Sequence, residues 1–358
     1  MKTSHLSRYL SSAVLKATLA SLVVILGLDL TFTIIDSLGD ISSQYRFVDV
    51  LLYMGMRLPE RLYLFFPIAV LIGTLVGLGG LAATSELTVM RASGLSIPRL
   101  ISLAMRPIAG LLIVLMIFSE VFMFNTIQFA ETWRWEKMNG QEASAHNVTQ
   151  DLWLRDEHNF IRINVARDDG ILLGITVYQL DDQWDLIRMI TAPKATLDDQ
   201  QQWRLQKAHD LVLSDDKIIS HDLDQATLSL PVAPEFIALQ AYDPPDLSAP
   251  TLWRYAHYLD EKGLDSGYYW LAFWRKTLLP ITIFSVVLLG ASFTFGSMRS
   301  IPASTRIFHG IVIGLLLKFA QDLLGPATLL WGFTPALSVL LPSGLCILWA
   351  LHLIRRAG

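Results

Sequence analysis

Cysteine and charged residues are both scarce in this sequence. Cys346, which lies in an apolar run, is the single cysteine among 358 residues, so no disulfide can form within the chain. Charged residues make up 17% of the total, against about a quarter in an average soluble protein, whereas 53% are hydrophobic. A soluble core could not bury this much apolar surface. The composition therefore indicates a membrane protein.

Several motifs of known chemistry are also missing. No G-x-x-x-x-G-K-[ST] occurs, so the chain lacks a P-loop and must take its energy from another protein if it pumps a substrate. There is no H-E-x-x-H among the eight histidines, no G-x-S-x-G, and no basic stripe interleaved with aromatic residues. We therefore predict no catalytic residue, no metal site, no cofactor bound by the chain and no nucleic-acid partner.

Long uncharged runs locate the membrane-spanning helices. Leu62 to Ser85 and Thr277 to Met298 continue for 24 and 22 residues without a charged side chain. A helix needs about 20 apolar residues to cross a bilayer, because it rises about 1.5 Å per residue. Six spans are predicted, at Ser12 to Ile35, Leu62 to Ala83, Ile101 to Phe124, Thr277 to Phe295, Ile307 to Leu324 and Pro335 to Ile354. Gly325-Pro326 is expected to end the fifth span near Leu324.

Acidic residues are concentrated between the third and fourth spans. The segment from Glu131 to Asp265 holds 24 of the 32 Asp and Glu residues but 12 of the 28 Lys and Arg residues. The rest of the chain is correspondingly basic. This contrast predicts a polar domain inserted between two hydrophobic halves, with domain limits at 1–125, 126–265 and 266–358.

Basic residues beside the spans predict how the chain crosses the membrane. Lys and Arg accumulate in short cytoplasmic segments. If the six spans cross the membrane in alternating directions, eight basic residues next to them lie on the same side of it. They are Lys2, Arg8, Arg91, Arg99, Arg299, Arg306, Arg355 and Arg356. Short connections on the other side hold Arg46, Arg57 and Arg61. We expect both termini in the cytoplasm and the acidic insert on the outer side.

The acidic insert changes to the alternating pattern of β-strands. Seven strands are predicted, at Asp151 to Arg155, Asn159 to Val165, Ile171 to Leu180, Leu186 to Ala195, Gln202 to Leu213, Lys217 to Leu230 and Glu235 to Ala241. Short strands with no helix between them favour an antiparallel sandwich or jelly roll. The predicted fold is thus a polytopic α-helical membrane protein with six transmembrane helices and an inserted all-β, jelly-roll-like domain.

A short helix is predicted in the connection between the second and third spans, at about 85–94. Ser85 is placed to cap it, Glu86 lies at the positive end of its dipole, and Gly94 is placed to end it. Leu87, Met90 and Arg91 fall on one side, which gives two apolar anchors and a cation for a partner. An ordinary tight turn between helices would explain the same residues.

In combination these features resemble a known family, the inner-membrane permeases of the lipopolysaccharide transport (Lpt) exporter, and its G-type more than its F-type members. The motifs of the resemblance are Arg8-Tyr9, Phe65-Phe66-Pro67, Ser85-Glu86-Leu87 with Val89-Met90 and Ala92-Ser93-Gly94, Phe295-Gly296 with Arg299-Ser300-Ile301-Pro302, and Gly325-Pro326. They extend over essentially the whole chain.

The resemblance implies an ATP-binding-cassette exporter in the inner membrane of a Gram-negative bacterium. Two permeases of six spans, of F-type and G-type, pair with two copies of a cytoplasmic ATPase, which alone uses ATP and Mg. The short helix with Glu86, Leu87, Met90 and Arg91 docks on that ATPase. The jelly roll lies in the periplasm, where its edge passes lipopolysaccharide, taken from the outer leaflet, to a bridge protein leading to the outer membrane.

Ionisable residues inside the spans are costly and are candidates for function. Lys318 and Asp322 are spaced i, i+4 on the fifth span, with Gln321 beside them. They could line a substrate cavity, or they could pair with each other and stabilise the helix. On the first span, Asp29, Thr33 and Asp36 form a polar stripe. Asp29 and Asp36 could act through a divalent ion, pair with Arg or Lys, or hydrogen bond a sugar, and structural carboxylates would look the same.

Arg57 and Arg61, at the entrance to the second span, are placed to meet anionic headgroups, although interfacial anchoring would also explain them. Compared with the pattern that the resemblance implies, this chain differs at two of the candidate positions. Asp36 matches an acidic position of the first span, but Thr33 stands where a lysine is expected and Lys318 replaces an aromatic residue. The headgroup contacts of this chain are therefore expected to be redistributed.

Three function classes fit the residues before the resemblance is considered. The first is a lipid-exporting permease. The second is a membrane sensor or mechanotransmission protein whose outer β domain binds a ligand. The third is a membrane enzyme acting on lipid, which would need a convergent catalytic group that the sequence does not offer.

Overall fold

The computed structural model describes residues 2–42, 45–139, 149–156, 158–166, 171–198, 202–214, 217–228, 243–295 and 302–357. The chain forms two compact units. One comprises Met1–Ile127 together with Pro244–Gly358, and the other comprises Gln128–Asp243. The first unit is helical and the second holds the β-sheet, so the acidic insert folds around a core of its own.

Eleven helices are described here in chain order. They are α1 (Lys2–Ser37), α2 (Phe47–Met56), α3 (Leu58–Ala83), α4 (Glu86–Ala92), α5 (Ile97–Phe118), α6 (Phe124–Asn139), α7 (Ala249–Glu261), α8 (Gly267–Thr277), α9 (Leu279–Phe295), α10 (Ala303–Leu330) and α11 (Leu337–Ala357). A π-helical turn, Ser119–Met123, joins α5 to α6, and 3₁₀ turns occupy Leu38–Asp40 and Pro244–Asp246.

Five of the described helices are long and apolar enough to cross a membrane, and a sixth span results if α8 and α9 count as one. These two meet at a bend of 50°. The spans coincide with the six predicted from the uncharged runs, which confirms the polytopic helical fold. The fourth span begins earlier than predicted, because Gly267–Thr277 adds a helix before the bend.

The fifth span continues past its predicted end. The prediction that Gly325-Pro326 stops it near Leu324 is wrong, since α10 runs to Leu330 with Pro326 inside it. Proline is tolerated in a transmembrane helix when neighbouring groups satisfy the disturbed backbone. In the turns next to this proline, the Thr328 hydroxyl donates to the carbonyl of Gly325 at 2.7 Å, and Arg275 donates to the carbonyl of Gln321 at 3.0 Å.

Helix α3 lies at the centre of the helical unit, and glycines set its spacing to three neighbours. A β-carbon at Gly77 would lie 2.8 Å from Cα of Val14 in α1, and one at Gly73 would overlap the backbone of Thr18. Gly290 of α9 packs against Thr74, and Gly314 of α10 packs against Leu71. Small residues allow such close approach between helices in lipid, where packing drives their association.

The described strands of the second unit form one antiparallel sheet. Its strands are β1 (Thr149–Asp156), β2 (Asn159–Ala166), β3 (Ile171–Leu180), β4 (Leu186–Leu197), β5 (Trp203–Ser214) and β6 (Lys217–Leu228). They pair in sequence order as a meander, and they confirm six of the predicted strands to within a few residues. The seventh, Glu235 to Ala241, lies outside the described residues.

Alternation along the strands separates the two faces of the sheet. Ile161 and Ile163 of β2 pair with Val177 and Ile175 of β3, and all four side chains are buried. This is the period of two expected where one face of a sheet is covered. The compact β unit ends at Asp243, so α7 belongs to the helical unit although it lies within the predicted 126–265 insert.

A buried carboxylate joins two central strands of the sheet. Both guanidinium nitrogens Nε and Nη2 of Arg188 in β4 donate to Asp210 in β5, each at 2.8 Å. These hydrogen bonds hold the pKa of the Asp210 carboxyl below its usual range, so the group stays ionised although its side chain is buried. The hydrogen bonds from Arg188 compensate for the free-energy cost of burying the charged Asp210 carboxylate.

Close packing between α1 and α3 predicts the effect of a single methyl group. Gly73→Ala should destabilise the protein by about 1–3 kcal/mol, because the added carbon overlaps the Thr18 backbone. Gly80→Ala in the same helix is the matched control, since nothing lies within 4 Å of its added carbon. Thermal unfolding in detergent measures both. Equal unfolding temperatures for the two variants would contradict the close approach.

Candidate functional site

A cavity of about 270 Å³ lies within the helical unit, between α3, α8, α9 and α10. Its apolar lining includes Leu64, Ile68, Leu279, Val286, Leu317 and Val339. Its charged lining consists of Glu60, Asp246, Arg275, Lys276, Lys318 and Asp322. Ligand sites typically combine a mostly apolar wall with a few convergent polar groups, and this cavity has that character.

The charged groups lie toward one end of the cavity. Gly310 packs against Leu75 whereas Gly314 packs against Ile68 and Leu71, so α3 and α10 run antiparallel. Glu60 lies about 12 Å before Ile68 along α3, and Asp322 lies about 12 Å beyond Gly314 along α10. Both carboxylates therefore lie at the same end. The opposite end is apolar.

Asp322 is shared by two cations at this charged end. Nζ of Lys318 lies 2.9 Å from Asp322 Oδ2, and Nη2 of Arg275 lies 3.5 Å from Asp322 Oδ1. The Gln321 side chain donates to the hydroxyl of Thr282 at 3.4 Å. The predicted pairing of Lys318 with Asp322 thus exists, and it lies in the lining of a cavity. The pair was interpreted either as lining a substrate cavity or as stabilising its own helix, and these two interpretations are compatible.

Arg57 reaches the same region through Glu60. Its Nε donates to Glu60 Oε2 at 2.7 Å, and its Nη1 donates to the hydroxyl of Tyr53 at 2.9 Å. Glu60 itself lines the cavity. The guanidinium is therefore held at the charged end without being part of the lining.

The other residues predicted for the cavity are Asp29, Thr33 and Asp36 of α1 and Arg61 of α3. Arg61 donates from Nη1 to Asp29 Oδ1 at 3.0 Å, which joins the two helices. The hydroxyl of Thr33 donates back to the carbonyl of Asp29, so it is used within its own helix. Asp36 is exposed near the end of α1. Of the interpretations open for Asp29, the structure shows pairing with arginine.

The predicted site residues thus form two groups. Lys318, Gln321 and Asp322 line the cavity, with Arg57 bound to its wall, whereas Asp29 and Arg61 form an ion pair between α1 and α3. Arg275 and Lys276 were missed, because they immediately precede the predicted fourth span and looked like its polar flank. Two adjacent cations directly before an apolar run were the available signal.

Lys276 links the beginning and the end of the polar insert. Its side chain is buried, donates to the carbonyl of Leu247 and lies 3.8 Å from Glu120 Oε1 in the π-helical turn. The other oxygen of Glu120 accepts from the backbone N–H of Ala249 at 2.8 Å. The chain leaving the membrane after α5 and the chain returning before α8 are therefore held together.

A second candidate surface is the short helix α4. It forms as predicted over Glu86–Ala92, and Gly94, at φ +96°, follows it in the left-handed region that favours glycine. The prediction that Ser85 caps the helix is wrong. Ser85 has φ +62° and makes no capping hydrogen bond, because a capping side chain requires an extended backbone. The Thr84 hydroxyl instead donates to Glu86 at 2.8 Å.

The side chains of α4 face differently from the prediction. Leu87 and Met90, predicted as anchors for a partner, are each 3% exposed and pack into the helical core. Their burial follows from the tight connection, which presses α4 against the ends of α3 and α5. Val89, which is 68% exposed, presents the apolar surface, and Arg91, two positions later in the helix, is half-buried.

Among the described residues, no group of three or more His, Cys, Asp or Glu side chains is arranged to hold a metal ion. Asp29, Glu60, Glu120 and Asp322 of the helical unit are instead engaged by arginine, lysine or backbone donors.

Comparison with known proteins covers nearly the whole chain. The profile of the family described as lipopolysaccharide export system permease LptF/LptG matches residues 8–356. The chain is 30% identical over 353 residues to the lipopolysaccharide export system permease protein LptG of Haemophilus influenzae, with 98% of each chain covered. It is also 30% identical over 354 residues to the protein of the same name in Escherichia coli strain K12, again with 98% of each covered.

The ion pair between α1 and α3 predicts coupled effects on stability. Asp29→Asn and Arg61→Gln should each lower the unfolding temperature, and the double variant should be no worse than the more damaging single one. The coupling free energy should be about 1 kcal/mol, because both side chains are partly exposed. Asp36→Asn, an exposed carboxylate on the same helix, serves as control. Strictly additive losses would argue against the pair.

Proposed function

The chain belongs to the lipopolysaccharide export permease family LptF/LptG, and from this membership we propose how it works. The family assignment makes it a permease for lipopolysaccharide export, and its relatives are of the G-type, as predicted. We propose that it extracts lipopolysaccharide from the outer leaflet of the inner membrane and passes it toward the outer membrane.

One observation supports this mechanism most directly. The helical unit holds a cavity that is apolar at one end and charged at the other, and its walls come from helices long enough to cross a membrane. An amphiphile with an anionic head matches both ends. We propose that Lys318, Gln321 and Asp322 contact the headgroup there, with Arg57 and Arg61 meeting it as it arrives from the outer leaflet. Asp29, Thr33 and Asp36 would border its path along α1.

The energy must come from another chain, because the sequence has no P-loop. We propose two copies of a cytoplasmic ABC ATPase as the motor and a second six-span, F-type permease as the partner in the membrane. The contact with the motor would be α4, with Glu86 and Arg91 as charged contacts and the exposed Val89 as the apolar one. Leu87 and Met90 would act from the inside, by attaching α4 to the core. ATP and Mg would be used by the ATPase alone.

We further propose the arrangement of both ends and of the β unit. Both termini would lie in the cytoplasm and the sheet in the periplasm, as the basic residues beside the spans suggest. Strands β1 and β6 each pair with a single described strand. Such edges accept an added strand, so a periplasmic bridge protein would dock by β-augmentation. The alternative of a membrane sensor has no comparable support, since the relatives are named as export permeases.

Charge reversal at the cavity tests the export mechanism. In proteoliposomes with the ATPase and the second permease, Lys318→Glu should lower lipopolysaccharide-stimulated ATP hydrolysis by about tenfold, because a charge-assisted contact is lost and repulsion is added. Arg57→Glu with Arg61→Glu should have the same effect. Lys318→Arg keeps the charge and is the control. Undiminished stimulation in both reversed variants would end the headgroup assignment.

The proposed docking of α4 gives a separate prediction. Val89→Asp should strongly reduce co-purification of the ATPase, because a charge would enter an apolar contact. Val89→Ile preserves the surface and should bind normally. Retention of the ATPase by Val89→Asp at the level of the unsubstituted chain would show that the motor docks elsewhere.

A further inference from the structure

The contacts between Glu120 and Lys276 connect three places where the helical unit changes direction. Glu120 lies in the π-helical turn between α5 and α6, and Lys276 lies next to the last residue of α8, at the 50° bend into α9. Leu247 and Ala249 lie where the chain enters α7. All four residues belong to the helical unit, close to the two connections that lead to the β unit.

One carboxylate and one ammonium hold these three places together. Glu120 Oε2 accepts from the Ala249 N–H at 2.8 Å, its Oε1 lies 3.8 Å from Lys276 Nζ, and Nζ donates to the Leu247 carbonyl. The Lys276 side chain is 6% exposed. Asp246 also attracts this ammonium, so two carboxylates balance its charge. A buried ammonium that loses part of this set is strongly destabilised, which favours forming and losing the contacts together.

The π-helical turn determines where Glu120 lies. Ser119–Met123 closes with one residue more per turn than an α-helix, and turns of this kind occur frequently at functional sites. Conversion of the turn to α-helix would rotate α6 by about 100° and shift it by about 1.5 Å, because that is the step of one residue in an α-helix. The state of the turn therefore sets the rotation of the helix that leads to the β unit.

The bend between α8 and α9 has its own cause in Pro280. This proline lacks the N–H that would bond the carbonyl of Lys276, four residues earlier, and its ring crowds that carbonyl. Lys276 thus lies at the bend itself, and a change in the bend angle moves its ammonium relative to Glu120. Lys276 and Met123 of the π-helical turn both line the cavity. A change at either place therefore also changes the cavity wall.

We infer that Glu120 and Lys276, with the Leu247 carbonyl and the Ala249 N–H, form a latch that couples the π-helical turn to the bend between α8 and α9. The latch is closed in this structure. Its opening separates Glu120 from Ala249 and Lys276, lets the π-helical turn relax and rotates α6. A movement of α8 and α9 is thereby transmitted to the root of the β unit. The inference rests on the proposed function for the ATP-driven cycle in which the latch opens.

Hydrogen exchange in the assembled complex tests whether the latch holds the turn. Glu120→Gln keeps an oxygen for the Ala249 N–H but removes the charge, and Lys276→Met removes the buried ammonium. Each should speed amide exchange in residues 119–127 and 247–252 by about tenfold, because a buried pair is lost. Glu261→Gln, at an exposed carboxylate of α7, is the matched control. Exchange at the control's rate in both latch variants would overturn the inference.

The double variant separates a latch from two unrelated structural contacts. Glu120→Gln combined with Lys276→Met should exchange about as fast as the faster single variant, because the shared contact is already lost. Co-purification of the ATPase and second permease verifies that each variant assembles. Multiplied effects in the double variant would show that the two side chains act independently, and would contradict the latch.

Spin labels follow the latch through the cycle. In a Cys346→Ala chain, Asn125→Cys in α6 and Arg254→Cys in α7 supply two exposed labelling positions. The assembled complex in lipid nanodiscs should give one label distance without nucleotide and a second with ATP and vanadate. Glu120→Gln should populate the second distance without nucleotide. One unchanged distance in all three samples would overturn the inference.

A transfer assay on the same complex separates this inference from the proposed function. ATP-dependent release of lipopolysaccharide to a periplasmic acceptor, with an unchanged label distance, would remove the latch and leave the exporter. A label distance that changes with nucleotide, without any release of lipopolysaccharide, would leave the latch and remove the exporter mechanism.

Discussion

The close approach of three helices to α3 is the constraint on which the helical unit depends. In lipid, apolar side chains gain little by leaving their surroundings, so association relies on packing between surfaces that fit. Gly73 and Gly77 of α3 provide that fit to α1, while Gly310 and Gly314 of α10 provide it on another side. The same glycines align Ile68 with Gly314, and this alignment sets the ends of the cavity. Packing and site geometry therefore have one origin.

Charged side chains in this unit are organised in pairs and small clusters, and the pairs determine which of them can meet a ligand. Asp29 and Arg61 neutralise each other between α1 and α3, and Arg57 is held by Glu60. Lys276 and Glu120 hold together the two chain segments that connect to the β unit. Arg275, Lys318 and Asp322 are the exception, since two cations share one carboxylate at a cavity wall. These three side chains are 35–44% exposed, so the extra cation of the trio stays accessible at the cavity.

The helix α4 illustrates how local patterns can be right about an element and wrong about its faces. Glu86 and Gly94 predicted its start and end, and the helix forms there. Helical spacing alone assigned Leu87 and Met90 to a partner, yet a seven-residue helix also needs an attachment to its own protein. The core takes both side chains, and Val89 is left outside. Pro326 gives the complementary case, because a helix breaker by local rules lies inside α10, where the helix continues to Leu330.

By itself the sequence determined the spans and the strands of the inserted sheet, although it favoured a sandwich or jelly roll and the described strands form a meander. Long uncharged runs have few alternatives to crossing a membrane, and strands joined by short turns pair with their neighbours, so both follow from patterns within about 20 residues. Only the tertiary structure decided which charges meet. Arg275 lies beside Asp322, and Asp29 beside Arg61, through helix packing across 47 and 32 positions. No local period encodes such distances, since they depend on which helix faces touch.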